Sequence, residues 1–306
     1  MHKSFYGKTI RIYLAEGTPS GVLIAEVGNW TGKVTVCPRT DLGKLHERTD
    51  TNRTGLYFLV GPDPEKTTKD RVYIGESDNA FRRLIQHDKD ESKDFWNRAV
   101  IITSKDENLT KAHVRYLESR LIELATHAAR AVLANGTAPD KPALPEPDVA
   151  DMEYFLGQVR LILPVLGFTF TEPVASRNKV TGQIEDEEAS PVFFMNPSGT
   201  NATAQEVNGR FIIFAGSTAR KEGAASWDSY RGLRDQLIQD GKLIDSDVAG
   251  FYRFAEDVEF ASPSAAATVV NAGNQNGRIV WKVKDTGQSY RDWQNEKLDM
   301  ENLENV

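Results

Sequence analysis

The sequence predicts an α+β chain of more than one domain, and three observations predict it. Apolar and polar residues alternate over 8–38, and short strand-like runs recur to about residue 103. A stripe of helical period then runs through Leu117, Leu121, Leu124, Ala125 and Ala128. Finally, 306 residues exceed what one hydrophobic core ordinarily organises.

The elements follow in order. Ile10–Leu14 and Val22–Val27, separated by the turn-rich Glu16-Gly17-Thr18-Pro19-Ser20-Gly21, read as a β-hairpin, with Val34–Val36 as a further strand and Leu42–Glu47 as a short helix. Gly55–Val60 and Arg71–Gly75 are strands joined by a loop carrying Pro62 and Pro64. Ser77 or Asp78 is expected to cap a helix over Ala80–His87. Ala99–Thr103 is the next strand, and Thr110 opens a long helix expected to reach about Ala134, before Asn135-Gly136. Four prolines between Gly136 and Asp148 suggest a linker and a boundary near 140. Beyond it come a helix at about 150–163, a short strand near Phe168–Phe170 and a polar, acidic loop over 175–190. Strands at Val192–Met195 and Arg210–Phe214, helices at about 227–239 and Ser264–Val270, and a strand at Arg278–Val283 complete the chain. The expected organisation is a β-rich segment over 1–50, a domain over 51–140, a linker helix with an acidic loop over 141–190, and a C-terminal α+β domain over 191–306.

Composition narrows the function. No apolar stretch approaches the roughly 18–20 residues of a membrane span; the longest, Leu161–Phe170, is interrupted by Pro164 and Gly167. The first residues carry no signal-peptide pattern, and cysteine usage suits a reducing compartment, so the expected location is the cytoplasm. The lone Cys37 excludes an intrachain disulfide or a cysteine-built zinc site. A net charge of −7 excludes nucleic-acid binding by bulk positive charge. Part of that charge sits in Glu185-Asp186-Glu187-Glu188, however, and residues 71–135 hold 11 Lys/Arg against 10 Asp/Glu. No glycine-rich nucleotide loop or Ser/His/Asp arrangement is present, so no organic cofactor is expected.

The residues that carry chemistry are concentrated in 55–135. Two strands each place a tyrosine beside a glycine, in Gly55-Leu56-Tyr57 and Tyr73-Ile74-Gly75. Arg83 follows on a helix, with His87 one turn further on the same face. A guanidinium there suits bidentate phosphate contact, though an arginine on an amphipathic helix is ordinarily solvated. Glu118 lies against the apolar stripe of the long helix, where a carboxylate is costly unless paired or metal-bound; its ordinary partner would be Arg115. As an oxygen ligand it suits Mg²⁺ or Mn²⁺.

The ordered set Gly55-Leu56-Tyr57, Tyr73-Ile74-Gly75, Arg83, Glu118 and Asn135 resembles the motif set of the GIY-YIG nucleases, with Leu56 in place of the first isoleucine. Asp94-Phe95-Trp96-Asn97 and Tyr116–Ile122 are similar to a bacterial subgroup, in which a glutamate at position 76 is expected where other relatives carry a lysine. The resemblance implies a small domain with a three-stranded antiparallel sheet flanked by helices, acting on DNA. Glu118 would bind one divalent metal, and Arg83 would neutralise the scissile phosphate. Tyr57 or Tyr73 would activate or orient the attacking water, with His87 beside them and Asn135 steadying the site from a helix end. Arg82 would add a nucleic-acid contact.

The second half carries no catalytic motif. Phe260–Ala267 through Asn276-Gly277 to Trp281-Lys282 resembles a C-terminal domain of unknown function often attached to these nucleases. Ser262 or Ser264 would cap its alanine-rich helix and Trp281 would fill its core. Arg220, Lys221, Arg231 and Arg234 are its candidate phosphate contacts, on a binding or targeting module. The alternative for the whole chain is a catalytically inactive module of the same fold that binds nucleic acid or protein.

Overall fold

The computed structural model describes residues 6–65, 69–106, 108–136, 139–172, 177, 182–184, 189–223 and 227–304. The acidic run 185–188 lies outside them. The chain is α+β and divides into two compact units, Met1–Val174 and Ala175–Val306.

The first unit is built on strands β1 (Ile10–Leu14), β2 (Leu23–Val27), β3 (Gly32–Pro38), β4 (Gly55–Pro62), β5 (Asp70–Ser77), β6 (Arg98–Ser104) and β7 (Val132–Leu133), with helices α1 (Ala80–Asp88), α2 (Lys111–Ala128) and α3 (Glu146–Val165). The expected antiparallel trio β6-β4-β5 is present, but as the interior of a seven-stranded sheet of order β1-β2-β3-β6-β4-β5-β7. The N-terminal strands are thus not a separate segment, because β3 pairs with β6 along its whole length, Lys33 opposite Thr103 through Pro38 opposite Arg98.

Strand alternation divides the sheet into two buried faces. Leu56, Phe58, Val60, Val72, Ile74, Val100 and Ile102 meet Leu117 and Leu121 of α2 and Phe155, Val159 and Ile162 of α3. Tyr57, Leu59, Ala99 and Ile101 face the other way, onto Ala80, Phe81 and Leu84 of α1 and onto Leu42, Leu45 and Trp96. Helix α3, expected as a linker, instead completes the first core, and Glu153 ties it to α2 by accepting from Tyr116 Oη (2.7 Å) and Arg120 Nε (2.6 Å). The proline-rich stretch ends at a helix with Pro147 in its first turn, a position where the missing N–H costs nothing.

Several local expectations are corrected. Asn79 caps α1, its side chain accepting from Arg82 N, while Ser77 Oγ supports Asn79. Thr110 caps α2 as expected, but the helix stops at Ala128 because Ala129 turns left-handed (φ 51°). The chain then pairs Val132 and Leu133 in parallel with Arg71 and Val72 of β5. Leu42–Glu47 is replaced by a 3₁₀ turn over Arg39–Leu45. Phe168 and Phe170 are buried core residues without a strand.

The second unit has strands β8 (Phe193–Met195), β9 (Ala202–Val207), β10 (Arg210–Ile213), β11 (Thr218–Arg220), β12 (Leu243–Asp245), β13 (Phe251–Phe254), β14 (Val258–Phe260) and β15 (Lys282–Val283). Its helices are α4 (Arg231–Gln239), α5 (Pro263–Asn271), α6 (Gly277–Val280) and α7 (Tyr290–Glu304). They form a five-stranded sheet, β14-β10-β9-β8-β15, and a three-stranded one, β11-β13-β12. Ser262 caps α5 by accepting from Ala265 N (3.1 Å), and fully buried Trp281 donates to Pro263 O (2.9 Å). Residues 278–283, expected as one strand, begin as the short helix α6 because Asn276 caps it through Arg278 N. No described helix is long and apolar enough to cross a membrane.

Candidate active site

Tyr57 and Gly75 are direct partners across β4 and β5. A Cβ on Gly75 would lie 2.3 Å from Tyr57 Oη and 2.4 Å from its Cζ, so the ring occupies the space that a side chain at 75 would fill. Tyr73, two residues earlier on the same face, stacks on Tyr57 with centroids 6.1 Å apart. Gly75→Ala is therefore expected to lower stability by about 1–3 kcal/mol and displace the Tyr57 ring; thermal melting and tyrosine fluorescence will register both.

Helix α1 lies across this pair. His87 is buried with centroids 5.4 Å from both tyrosine rings, and its Nε2 is 2.9 Å from Tyr57 Oη. Arg83, one turn earlier, is exposed, donates to Gln86 Oε1 (2.9 Å) and sits beside the Tyr57 and Tyr73 hydroxyls, which raise its pKa. Lys93 Nζ stands 3.6 Å over the Tyr73 ring.

The protonation states follow from this packing. Burial first, and the neighbouring Tyr73 second, push the Tyr57 pKa well above the usual phenol value, against the pull of Arg83. Burial, then Lys93 and Arg83, hold the His87 pKa down to about 4, against Asp90. At neutral pH the imidazole is therefore uncharged and Tyr57 keeps its proton, so the Tyr57–His87 bond joins two neutral groups and its direction follows the imidazole tautomer.

This shift makes stability depend on pH. The unfolded chain protonates His87 near pH 6.5 and the folded chain only near 4, so the contribution is complete above 6.5 and is lost as pH falls through 4. About 3 kcal/mol is expected to disappear across that window, at ~1.4 kcal/mol per pH unit. His87→Gln, which does not titrate, should show a shallower fall in melting temperature between pH 7.5 and 4; an identical fall would remove His87 from the account.

Asn135 reaches the site by a different route from the expected helix end. It leaves β7 and brackets Ile74, donating Nδ2 to the Ile74 carbonyl (2.8 Å) and accepting the Ile74 amide at Oδ1 (3.0 Å). It thereby fixes the backbone between Tyr73 and Gly75.

Glu118 stands apart from the tyrosines. Its neighbour is Glu76, which alternates to the opposite face of β5 from Gly75. Burial first and the Glu76 charge second raise the Glu118 pKa to about 7, against the Glu76 backbone amide, Lys111 and Arg115. Lys111 Nζ contacts Glu76 Oε2 (2.7 Å) and Asp78 (3.4 Å). The structure thus makes two groups, Tyr57/Tyr73/Arg83/His87 and Glu118/Glu76/Lys111, joined through consecutive residues Gly75 and Glu76, whose Cα atoms are ~3.8 Å apart. Among the described residues no three His, Cys, Asp or Glu side chains converge on a common point. Two carboxylates near enough for the Glu76 charge to raise the Glu118 pKa are nevertheless of the chemistry that suits a cation of the Mg²⁺ kind, which takes one or two carboxylates and keeps waters.

Glu76, Lys111 and Lys93 were not among the sequence-derived site residues. Lys111 and Glu118 are seven residues apart, two helical turns on one face, a spacing that was readable; Lys93 sits in an irregular turn and carried no signal. Arg82 is exposed on α1. Of the four candidates in the second unit, Arg231 alone is exposed as a phosphate contact requires. Arg220 is half-buried, and Lys221 is engaged by Asp245 (2.6 Å) and stands 5.2 Å over the Tyr252 ring. Arg234 is buried, donates to the carbonyls of Val269, Arg220 and Lys221, and lies over Trp227 and Tyr252. It is an internal strut, which corrects its expected place on a phosphate-binding surface.

A family model described as a domain of unknown function (DUF4357) matches residues 193–294. The match covers most of the second unit, as the resemblance there led one to expect, and no nuclease family model matches the first. No curated protein and no solved structure matches the chain.

Proposed function

We propose that the first unit is a divalent-metal-dependent endonuclease of the GIY-YIG type that hydrolyses phosphodiester bonds in DNA. One observation carries the reading: two tyrosines from paired strands pack with an arginine and an uncharged histidine of the following helix in one cluster, and Gly75 is kept bare to admit Tyr57.

Glu118, with Glu76 beside it, would hold a Mg²⁺ or Mn²⁺ ion, which supplies charge neutralisation to the phosphate and leaving oxygen. Arg83, exposed at the mouth, offers its planar fork to the non-bridging phosphate oxygens and supplies positive charge where negative charge develops. Tyr57 is too strongly protonated to be a base by itself. With the imidazole proton on Nδ1, its hydroxyl would accept a proton from the attacking water while passing its own to His87 Nε2, so the pair removes a proton as a unit. Tyr73 packs against Tyr57 and His87, and Asn135 keeps Tyr73 and Gly75 in register.

The second reading is a binding module of the same fold without turnover, favoured by Lys111, which already compensates the Glu76 carboxylate. Incubation of supercoiled plasmid with the chain separates the two. The nuclease reading expects nicking in Mg²⁺ or Mn²⁺ that EDTA abolishes; binding without nicking under any divalent ion would select the module.

A further inference from the structure

A polar cleft of about 390 Å³ opens at the end of the sheet, lined by Lys33, Arg48, Arg53 and Lys105 against two carboxylates, Glu47 and Asp50. That excess of cations is local, in a chain of net charge −7. We infer that this cleft holds the DNA backbone next to the scissile phosphate, an inference that rests on the nuclease reading.

The register places it there. Lys33, Thr103, Gly55 and Ser77 form one cross-strand row over β3, β6, β4 and β5. The next row on the same face is Thr35, Ile101, Tyr57 and Gly75. The cleft floor and the tyrosine cluster therefore share a face of the sheet and lie two residues apart along the strands, ~7 Å. Arg53 links them further: its carbonyl accepts Ala80 N at the start of α1 (3.2 Å), and its guanidinium donates to Lys105 O (3.1 Å).

The cations differ in how far they are committed. Lys33 is shared between Asp50 (3.0 Å) and Glu26 (3.7 Å), and Lys105 also meets Glu26 (3.0 Å). Arg48 has a buried Nε without a hydrogen-bond partner and forms no ion pair among the described residues. The side chain as a whole is half-buried, so its outer nitrogens remain open to the cleft, and an anionic oxygen there would give the guanidinium the partner it lacks within the protein. Thr49 and Thr103 add hydroxyls to the lining, which suits phosphate oxygens and carries no base specificity.

The test is the affinity of the full chain for a short fluorescent DNA duplex in EDTA, measured by anisotropy across a salt series. Arg48→Ala is expected to raise Kd about five- to tenfold and to make the slope of log K against log salt shallower by about 0.9. Arg48→Lys should keep the slope, and Arg11→Ala, which removes the same charge from the exposed β1 edge, should change neither. Wild-type Kd and slope in Arg48→Ala, or an equal loss in Arg11→Ala, would overturn the cleft while leaving the nuclease reading intact if the wild type nicks plasmid. A wild type that neither binds nor nicks DNA would overturn both.

Discussion

Arg83→Ala is expected to slow DNA cleavage about 10²–10³-fold under single-turnover conditions while leaving the melting temperature close to that of the wild type. The size is what removal of one preorganised electrostatic group costs at a centre where charge develops. The selectivity follows from exposure: Arg83 contributes to no core cluster, and its bond to Gln86 lies on the surface. Removing the guanidinium also takes away the charge that holds the Tyr57 pKa down, so the tyrosine is left still more firmly protonated. Arg83→Lys should recover only part of the rate, because an ammonium keeps the charge and loses the two-pronged geometry. A rate within a few-fold of wild type in Arg83→Ala would take the phosphate role away from this residue.

Arg234→Ala is expected to destabilise the second unit by about 3–4 kcal/mol. The substitution removes the donors of three carbonyls and the cation between Trp227 and Tyr252, and it leaves a cavity where a nearly inaccessible side chain stood. Burial lowers the Arg234 pKa, against Tyr252 and Asp235, because the charged form has lost water. Hydrogen exchange followed by mass spectrometry should show faster exchange in α5, whose Val269 carbonyl the guanidinium caps. Undisturbed exchange together with weaker DNA binding would restore the surface role that sequence alone suggested.

Much of this architecture is legible in the sequence because it is local. The hairpin over 10–27, the strand pair carrying the two tyrosines, and the caps at Thr110 and Ser262 each follow from period, turn residues or hydroxyl placement within a few positions. What is not legible depends on pairing at long range. Nothing near Lys33 announces that β3 will lie against β6, so the first fifty residues look independent of the strands they extend. Proline-rich spacing disguises α3 as a linker, although Glu153 is the acceptor that Tyr116 and Arg120 require. In the sequence helix α2 reads on to about Ala134 because Asn135-Gly136 is the first usual C-terminal signal after Thr110. Only the left-handed Ala129 and the pairing of Val132 with Arg71 convert that stretch to a strand, and with it bring Asn135 to Ile74.

The candidate site divides along the same line. Tyr57, Tyr73, Arg83 and His87 are readable because one helical turn and two strands fix their relation. Glu118 is readable as a misfit on an apolar stripe, but its companion Glu76 looks like a departure until the structure brings its charge near enough to raise the Glu118 pKa. Arg234 misleads for a physical reason: amphipathic spacing cannot distinguish a solvated arginine from one that caps buried carbonyls.

The most direct test of the central claim is cleavage of closed circular DNA by the wild type and by Glu118→Gln over a Mg²⁺ titration, with melting temperatures measured on the same samples. The account predicts metal-dependent nicking by the wild type and a loss of at least about 10²-fold in Glu118→Gln, of the size that removing a key electrostatic group causes, at unchanged or raised melting temperature. Equal nicking by Glu118→Gln, or nicking by the wild type that persists in EDTA, would contradict it.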